Sequence, residues 1–245
     1  MDLLIFSGQS NMQGQTESKP YDEPIKNAYE YKLLTDSLVE LKNPVGEDIS
    51  DLLLMSHEGH GSLIPYFTDA YVNYTKNTTV AVHVAKGATI VEQFLKSSEI
   101  GRARYNKLVE KVNAAKKKIG KTDRIYFIWL QGESDAIAKT SYDKYINQMI
   151  ELKNDLKKDL NIDKFCIIEV GYFGYIVHSN YLNDEIIMKA QEDLPKIDKD
   201  FVLLTDICKK LSLDNEYLNP FAAGHYNNKG VKLIGEVAGS SLAKI

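Results

Sequence analysis

Cysteine, proline and tryptophan are scarce in this chain: two, six and one in 245 residues. Two thiols are too few for a disulfide framework. Cys166 and Cys208 each sit in or just after an apolar run, where buried, reduced cysteine is the expectation. Fifteen glycines beside six prolines exclude a collagen-like or low-complexity chain. No apolar stretch approaches the roughly 18 residues of a membrane-spanning helix. Neither sign of charge dominates, since 30 basic against 34 acidic residues give a net charge of −4. The basic footprint of a nucleic-acid-binding surface is missing, and the one dense cationic run, Lys116-Lys117-Lys118, reads as a solvated helix face. Also missing is a basic region followed by an apolar stretch and a cleavage site. Met1-Asp2-Leu3-Leu4-Ile5-Phe6 therefore reads as a strand, with a cytoplasmic location expected, or secretion if a leader has been removed.

What is present is an ordinary globular composition, 44% hydrophobic and 26% charged, arranged in alternating blocks. Five short apolar runs, at residues 2–6, 79–85, 124–130, 164–170 and 201–206, are continuous rather than alternating. That is the signature of parallel strands covered on both faces. Between them lie stretches with helical spacing: 62–77 with Ser62 as N-cap, 101–119 ending before Gly120, 141–160, 181–194 and 229–243. Strand–helix alternation without repeat, linker or composition break predicts one α/β domain over residues 1–245, a three-layer α/β/α sandwich on a five-stranded parallel sheet. Residues 16–58 fit least well. They are polar, contain Pro20, Pro24 and Pro44, and are expected to form a small hairpin or an irregular excursion over the sheet's end.

In open α/β sheets, ligands bind beyond the carboxyl ends of the strands. The residues at those ends are Ser7-Gly8-Gln9-Ser10-Asn11-Met12, Lys86-Gly87-Ala88-Thr89, Gln131-Gly132-Glu133-Ser134-Asp135 and, before the last helix, Gly224-His225-Tyr226. Together they are the parts of a serine hydrolase. Ser10 on a strand-to-helix turn is a nucleophile beside backbone N–H groups that can stabilise an oxyanion. Gly87 lets a substrate approach the main chain and offers a further donor. If the chain stays extended past Leu130, Gln131 and Glu133 project to one side, the first as a neutral amide for the oxyanion and the second as a carboxylate to orient a histidine. His225 is the histidine placed to take the serine's proton. Gln9 and Asn11, on either side of Ser10, are candidate substrate contacts.

Gly8-Gln9-Ser10-Asn11-Met12 resembles the first signature of the SGNH/GDSL hydrolases, in the variant found in sialic-acid-specific acetylesterase-like proteins and carbohydrate esterase family 6. Trp129-Leu130-Gln131-Gly132-Glu133-Ser134-Asp135 is similar to that family's third block, with Gln for the usual asparagine. Residues 85–90 resemble its glycine block and Gly224-His225-Tyr226 its histidine block. The resemblance implies a flavodoxin-like SGNH fold and metal-free removal of acetyl groups from carbohydrates, such as a xylo-oligosaccharide or a sialic acid, with no cofactor. Three positions depart from the pattern. Ala88 replaces a second glycine, Leu130 a more polar residue, and Ala222 the aspartate often found three residues before the histidine. Candidates for the triad acid are then Glu133, Asp135, Asp206 and Asp214, with Glu133 favoured and Asp206 its main competitor. Ala88 and Ala222 also keep open a non-catalytic carbohydrate-binding role, and an esterase of small non-sugar esters is a third reading. His57-Glu58-Gly59-His60 does not read as a metal site, because its histidines are three apart beside a glycine rather than four apart on a helix.

Overall fold

A computed structural model describes residues 1–20, 23–56, 60–173 and 181–245. Its centre is β1 (Asp2–Gly8), buried along its whole length as its unbroken apolar run requires. On one side β1 pairs in parallel with β4 (Thr79–His83), and on the other with β5 (Arg124–Leu130). β6 (Lys164–Ile168) and β7 (Phe201–Thr205) continue the sheet beyond β5 in parallel. All five continuous apolar runs are therefore strands.

The five-stranded sheet expected from those runs needs correction, because the sheet has seven strands in the order β3-β2-β4-β1-β5-β6-β7. The two additional strands, β2 (Ala28–Lys32) and β3 (Ser37–Glu40), form an antiparallel hairpin, and β2 joins the sheet parallel to β4. They lie in the polar segment that fitted least well. β3 forms the sheet's edge and β2 lies just inside it, and their sequences mix Tyr, Glu, Lys and Ser with apolar residues. The hairpin is anchored by buried charge. Glu30 accepts the Gly46 N–H at 2.7 Å and pairs with Lys32 at 2.8 Å, while Glu47 pairs at 2.7 Å with Lys111, which is fully buried.

Helices flank the sheet. Among the described residues they are α1 (Ser10–Gln13), α2 (Ile64–Thr75), α3 (Arg102–Ile119), α4 (Glu133–Ile137), α5 (Tyr142–Leu160), α6 (Leu182–Ile197), α7 (Ile207–Leu211) and α8 (Asn228–Leu242). Five of them lie in the stretches that the spacing predicts, and three short ones, α1, α4 and α7, are additional. Ser141 caps α5 by accepting the Lys144 N–H, and Gly120 ends α3 at φ 78°. Ser62 stands one residue outside the N-cap of α2, and its hydroxyl accepts the Ile64 N–H at 3.2 Å. The longest helix contact joins α2 to α8. It needs Gly239, where an added Cβ would stand 2.1 Å from the Phe67 carbonyl oxygen. The same Phe67 meets Phe6 of β1 edge-on, with centroids 5.1 Å apart, so α2 lies between the last helix and β1. Cys166 and Cys208 are both free and buried. No described helix is long and apolar enough to cross a membrane.

Just beyond β6, Glu169 is wholly buried, and neither carboxylate oxygen has a hydrogen-bond partner among the described residues. Burial, reinforced by Glu192, pushes this carboxyl up from its ordinary 4.5 to about 7. The folded state thus keeps a proton that the unfolded chain has already released. Its stabilising effect is complete below pH 4.5 and is lost as pH rises through about 7. Denaturant titrations at acid and alkaline pH should show Glu169→Gln losing less stability on the alkaline side than the wild type, by about 1–2 kcal/mol. Identical pH dependence in the two proteins would contradict this account.

Candidate active site

The carboxyl ends of β1, β4 and β5 meet at the point where strand order reverses, and the site lies there. Its floor is a cleft of about 330 Å³ lined by Gln9, Ser10, Gln13, Lys86, Gly87 and His225, with Leu54, Ile137 and Phe173 among its apolar walls. Ser10 opens α1 immediately after β1, and among the described residues its own N–H has no acceptor, as at any helix start.

Ser10 and His225 are brought together, with Ser10 Oγ 2.8 Å from His225 Nε2. Nδ1 of the same ring lies 3.0 Å from the Ala223 carbonyl oxygen. A carbonyl can only accept, so this contact places the proton on Nδ1. Nε2 is then the bare nitrogen that accepts the serine hydroxyl, which is the tautomer a general base requires. The loop is latched on both sides, Asn219 N–H donating to the His225 carbonyl at 2.7 Å and Asn219 Nδ2 to the Gln15 carbonyl at 2.7 Å. The Phe173 ring meets the imidazole edge-on, with centroids 5.6 Å apart. Gly224 has φ 74°, and a Cβ there would lie 2.2 Å from the same Phe173 ring. Glycine is required at that step.

The remaining expectations fare differently. Gly87 does line the cleft, but its N–H donates at 2.7 Å to Gln13 Oε1, whose own amide reaches the Met55 carbonyl. Gln131 does not reach the cleft. It is fully buried, and its amide donates to the Thr89 carbonyl at 2.8 Å and to Asp135 Oδ2 at 2.6 Å. The expectation that Gln131 and Glu133 share one side fails for a local reason. β5 ends at Leu130, Gly132 turns the chain at φ 154°, and α4 begins at Glu133, so the spacing-two rule no longer applies. Glu133 is 2% exposed and accepts a hydrogen bond from Asn11 Nδ2 at 2.8 Å; its described partner is Asn11 rather than His225. Burial raises the Glu133 carboxyl above the usual range. Asn11, expected at the substrate, is 4% exposed and faces Glu133 and the histidine loop instead.

The other acids are accounted for by structure. Asp135 is fully buried and accepts from the Val91 N–H, Gln131 and Thr140, and Asp214 caps a short turn through the Glu216 N–H. Asp206 is exposed and lines a separate cavity with Tyr172 and Lys209. Gln9 was expected only as a substrate contact. It lines the cleft beside Ser10 and also accepts the Ser134 N–H at 3.0 Å, so it holds the turn after β5 against the start of α1. Its place directly before the serine was the available signal. Of the His57–His60 stretch, His60 bonds the Thr16 carbonyl, and His57, Glu58 and Gly59 lie outside the described residues.

Comparison with known proteins follows this geometry. The family model described as carbohydrate esterase, sialic acid-specific acetylesterase, matches residues 1–237. No curated protein sequence gives a match. Among solved structures, an Arabidopsis thaliana protein is 20% identical with a TM-score of 0.73, covering 99% of this chain and 98% of its own. NanS is 13% identical with a TM-score of 0.70, covering 98% and 96%. A mutant acetyl-xylooligosaccharide esterase from Geobacillus is 12% identical with a TM-score of 0.53, covering 97% and 91%. At these identities the likeness is one of fold, the layered α/β fold that lipases of the GDSL type also share.

Ala88 lines the cleft with φ 56°, a left-handed conformation that disfavours any residue with a Cβ. This is the position where the resemblance expects glycine. Ala88→Gly should therefore raise stability by about 0.5–1 kcal/mol in chemical denaturation, the relief of strain exceeding glycine's extra unfolded-state entropy. A lower denaturation midpoint in the variant would show that the turn carries no such strain.

Proposed function

Because the chain belongs to the carbohydrate esterase family described as sialic acid-specific acetylesterases, we propose that it is a single-domain serine esterase removing acetyl groups from acetylated carbohydrates. The observation carrying this reading is the 2.8 Å approach of Ser10 Oγ to His225 Nε2 in a cleft of about 330 Å³. Ser10 Oγ attacks the acetyl carbonyl carbon while Nε2 takes the hydroxyl proton. The same proton passes to the sugar oxygen as its bond to the acyl carbon breaks. Water then attacks the acetyl-enzyme, gives its proton to Nε2, and acetate leaves as Ser10 Oγ is reprotonated. The Ala223 carbonyl stands where a triad carboxylate would, holding the ring and its tautomer.

For the oxyanion, the Ser10 N–H is the first donor. The amide of Gln9, which lines the cleft beside Ser10, takes the part expected of Gln131. Gly87 N–H can join only by leaving Gln13 Oε1. The cleft's charge favours one substrate type over another. Among its described lining residues Lys86 is the one ammonium or carboxylate, and it has no described ion-pair partner. A lone cation at a sugar site favours a substrate with its own carboxylate, such as an acetylated sialic acid, over a neutral acetylated xylo-oligosaccharide.

Two measurements test this. Ser10→Ala, which removes one hydroxyl, should fold normally and lose about five orders of magnitude in kcat on an aryl acetate. A folded variant with most of its activity would exclude the serine mechanism, and an inactive wild type would favour a non-catalytic binding role. Lys86→Met should raise KM about tenfold for an acetylated acidic sugar and leave the aryl acetate nearly unaffected. Equal effects on both substrates would remove the case for an anionic substrate.

A further inference from the structure

Asn11 follows the nucleophile directly, yet its side chain points away from the cleft into a buried network. Its amide nitrogen donates to Glu133 Oε1 at 2.8 Å and to the Gly224 carbonyl at 3.4 Å. Its oxygen accepts the Tyr226 N–H at 3.3 Å. Gly224 and Tyr226 are the residues on either side of His225, so one amide grips both peptide groups that flank the base. Tyr226 is itself fixed, 3% exposed with its hydroxyl on the Cys208 carbonyl at 3.3 Å.

An asparagine amide fits the same space in two orientations, exchanging its oxygen and nitrogen. Only one of them serves this loop, because the Tyr226 N–H needs an acceptor and the Gly224 carbonyl needs a donor. Glu133 selects that orientation. A carboxylate oxygen has to be met by a donor, so the NH₂ turns toward Glu133 and the oxygen toward Tyr226. The short 2.8 Å contact is the strong one, and the two longer contacts follow from it. We propose that Glu133 serves the reaction through Asn11, the pair acting as positioning residues that hold His225 on line with Ser10. This inference rests on the esterase reading for its kinetic consequences alone. It also separates two roles that one carboxylate could have: a triad acid acts through its charge on the imidazole, whereas a positioning acceptor acts through the shape of its hydrogen bond.

Substitutions distinguish the two. Glu133→Gln keeps an acceptor oxygen for Asn11 and removes the charge, so kcat on an aryl acetate should fall only about three- to tenfold. Glu133→Leu and Asn11→Leu each break the grip, and each should cost about 100-fold in kcat with KM changed less than about threefold. The double leucine variant should be no worse than either single one, since both remove the same link. It also leaves no buried carboxylate unpaired, and it replaces the singles if either fails to fold. The result that would overturn the proposal is Glu133→Gln losing as much as His225→Ala. Retention of wild-type kcat by folded Asn11→Leu or by the double variant would overturn it equally.

If the wild type hydrolyses no acetyl ester, the esterase reading fails, and ¹⁵N spectra of the imidazole still decide the positioning claim. With the His225 signals assigned by their loss in His225→Gln, Asn11→Leu or the double variant should shift or broaden them, and Glu133→Gln should move them far less. His225 signals unchanged by loss of the Asn11 amide would refute the proposal without reference to catalysis.

Discussion

The site depends on one contact between residues 215 positions apart, the 2.8 Å hydrogen bond from Ser10 Oγ to His225 Nε2. A neutral hydrogen bond of this kind contributes only about 1 kcal/mol net, too little to order two loops by itself. The geometry must be imposed by what surrounds it. On the serine side, β1 is fixed between two parallel neighbours, and the Gln9 N–H donates to the Leu130 carbonyl before the chain turns into α1. On the histidine side, α8 packs so closely on α2 that Gly239 is sterically required. The loop before that helix is closed by Asn219 and by the grip of Asn11. The Ser10–His225 contact is therefore a product of sheet topology and helix packing.

Buried polar groups carry much of that imposition. Gln9, Asn11, Gln13, Gln131, Glu133 and Asp135 cluster around the strand ends at exposures of 4% or less. Leaving such groups unpaired would cost more than each pairing contributes, so the network specifies loop conformations rather than adding much net stability. Asp135 and Gln131 bind one another and tie the turn after β5 to the Val91 N–H and Thr89 carbonyl. Gln9 ties the same turn to the start of α1. Residues of catalytic type are thus used here as mortar. Their types alone cannot tell one role from the other.

That ambiguity explains which parts were legible in the sequence. Continuous apolar runs identify the parallel strands because those strands are covered on both faces, and the serine and histidine motifs stand out because they follow such runs. The hairpin at 28–40 was not legible as part of the sheet, since β2, Ala28-Tyr29-Glu30-Tyr31-Lys32, carries charge and shows no unbroken apolar run. The misassignment of Gln131 has a different origin. The strand rule does not carry past Leu130, because Gly132 turns the chain there at φ 154°. Position after the central strand points Glu133 toward a histidine, whereas its described partner is the Asn11 amide next to Ser10. The position of Ala222 did indicate that an aspartate was missing. It could not indicate that a peptide carbonyl one residue later would face the imidazole.

A carbonyl in that place bears on the chemistry proposed for the site. An imidazolium formed during acyl transfer is stabilised by a neighbouring carboxylate through full charge, and by a peptide carbonyl through a dipole alone. The dipole still fixes ring and tautomer, which is one of the two parts a triad acid plays. Cleaving an amide leans harder on the imidazolium, because the departing nitrogen must be protonated as its bond breaks. A sugar oxygen leaving an acetyl ester needs less assistance. The site proposed for oxygen esters thus holds its base by packing, by the edge-on Phe173 ring and by the Asn11 grip, and precision of placement is what these contacts supply.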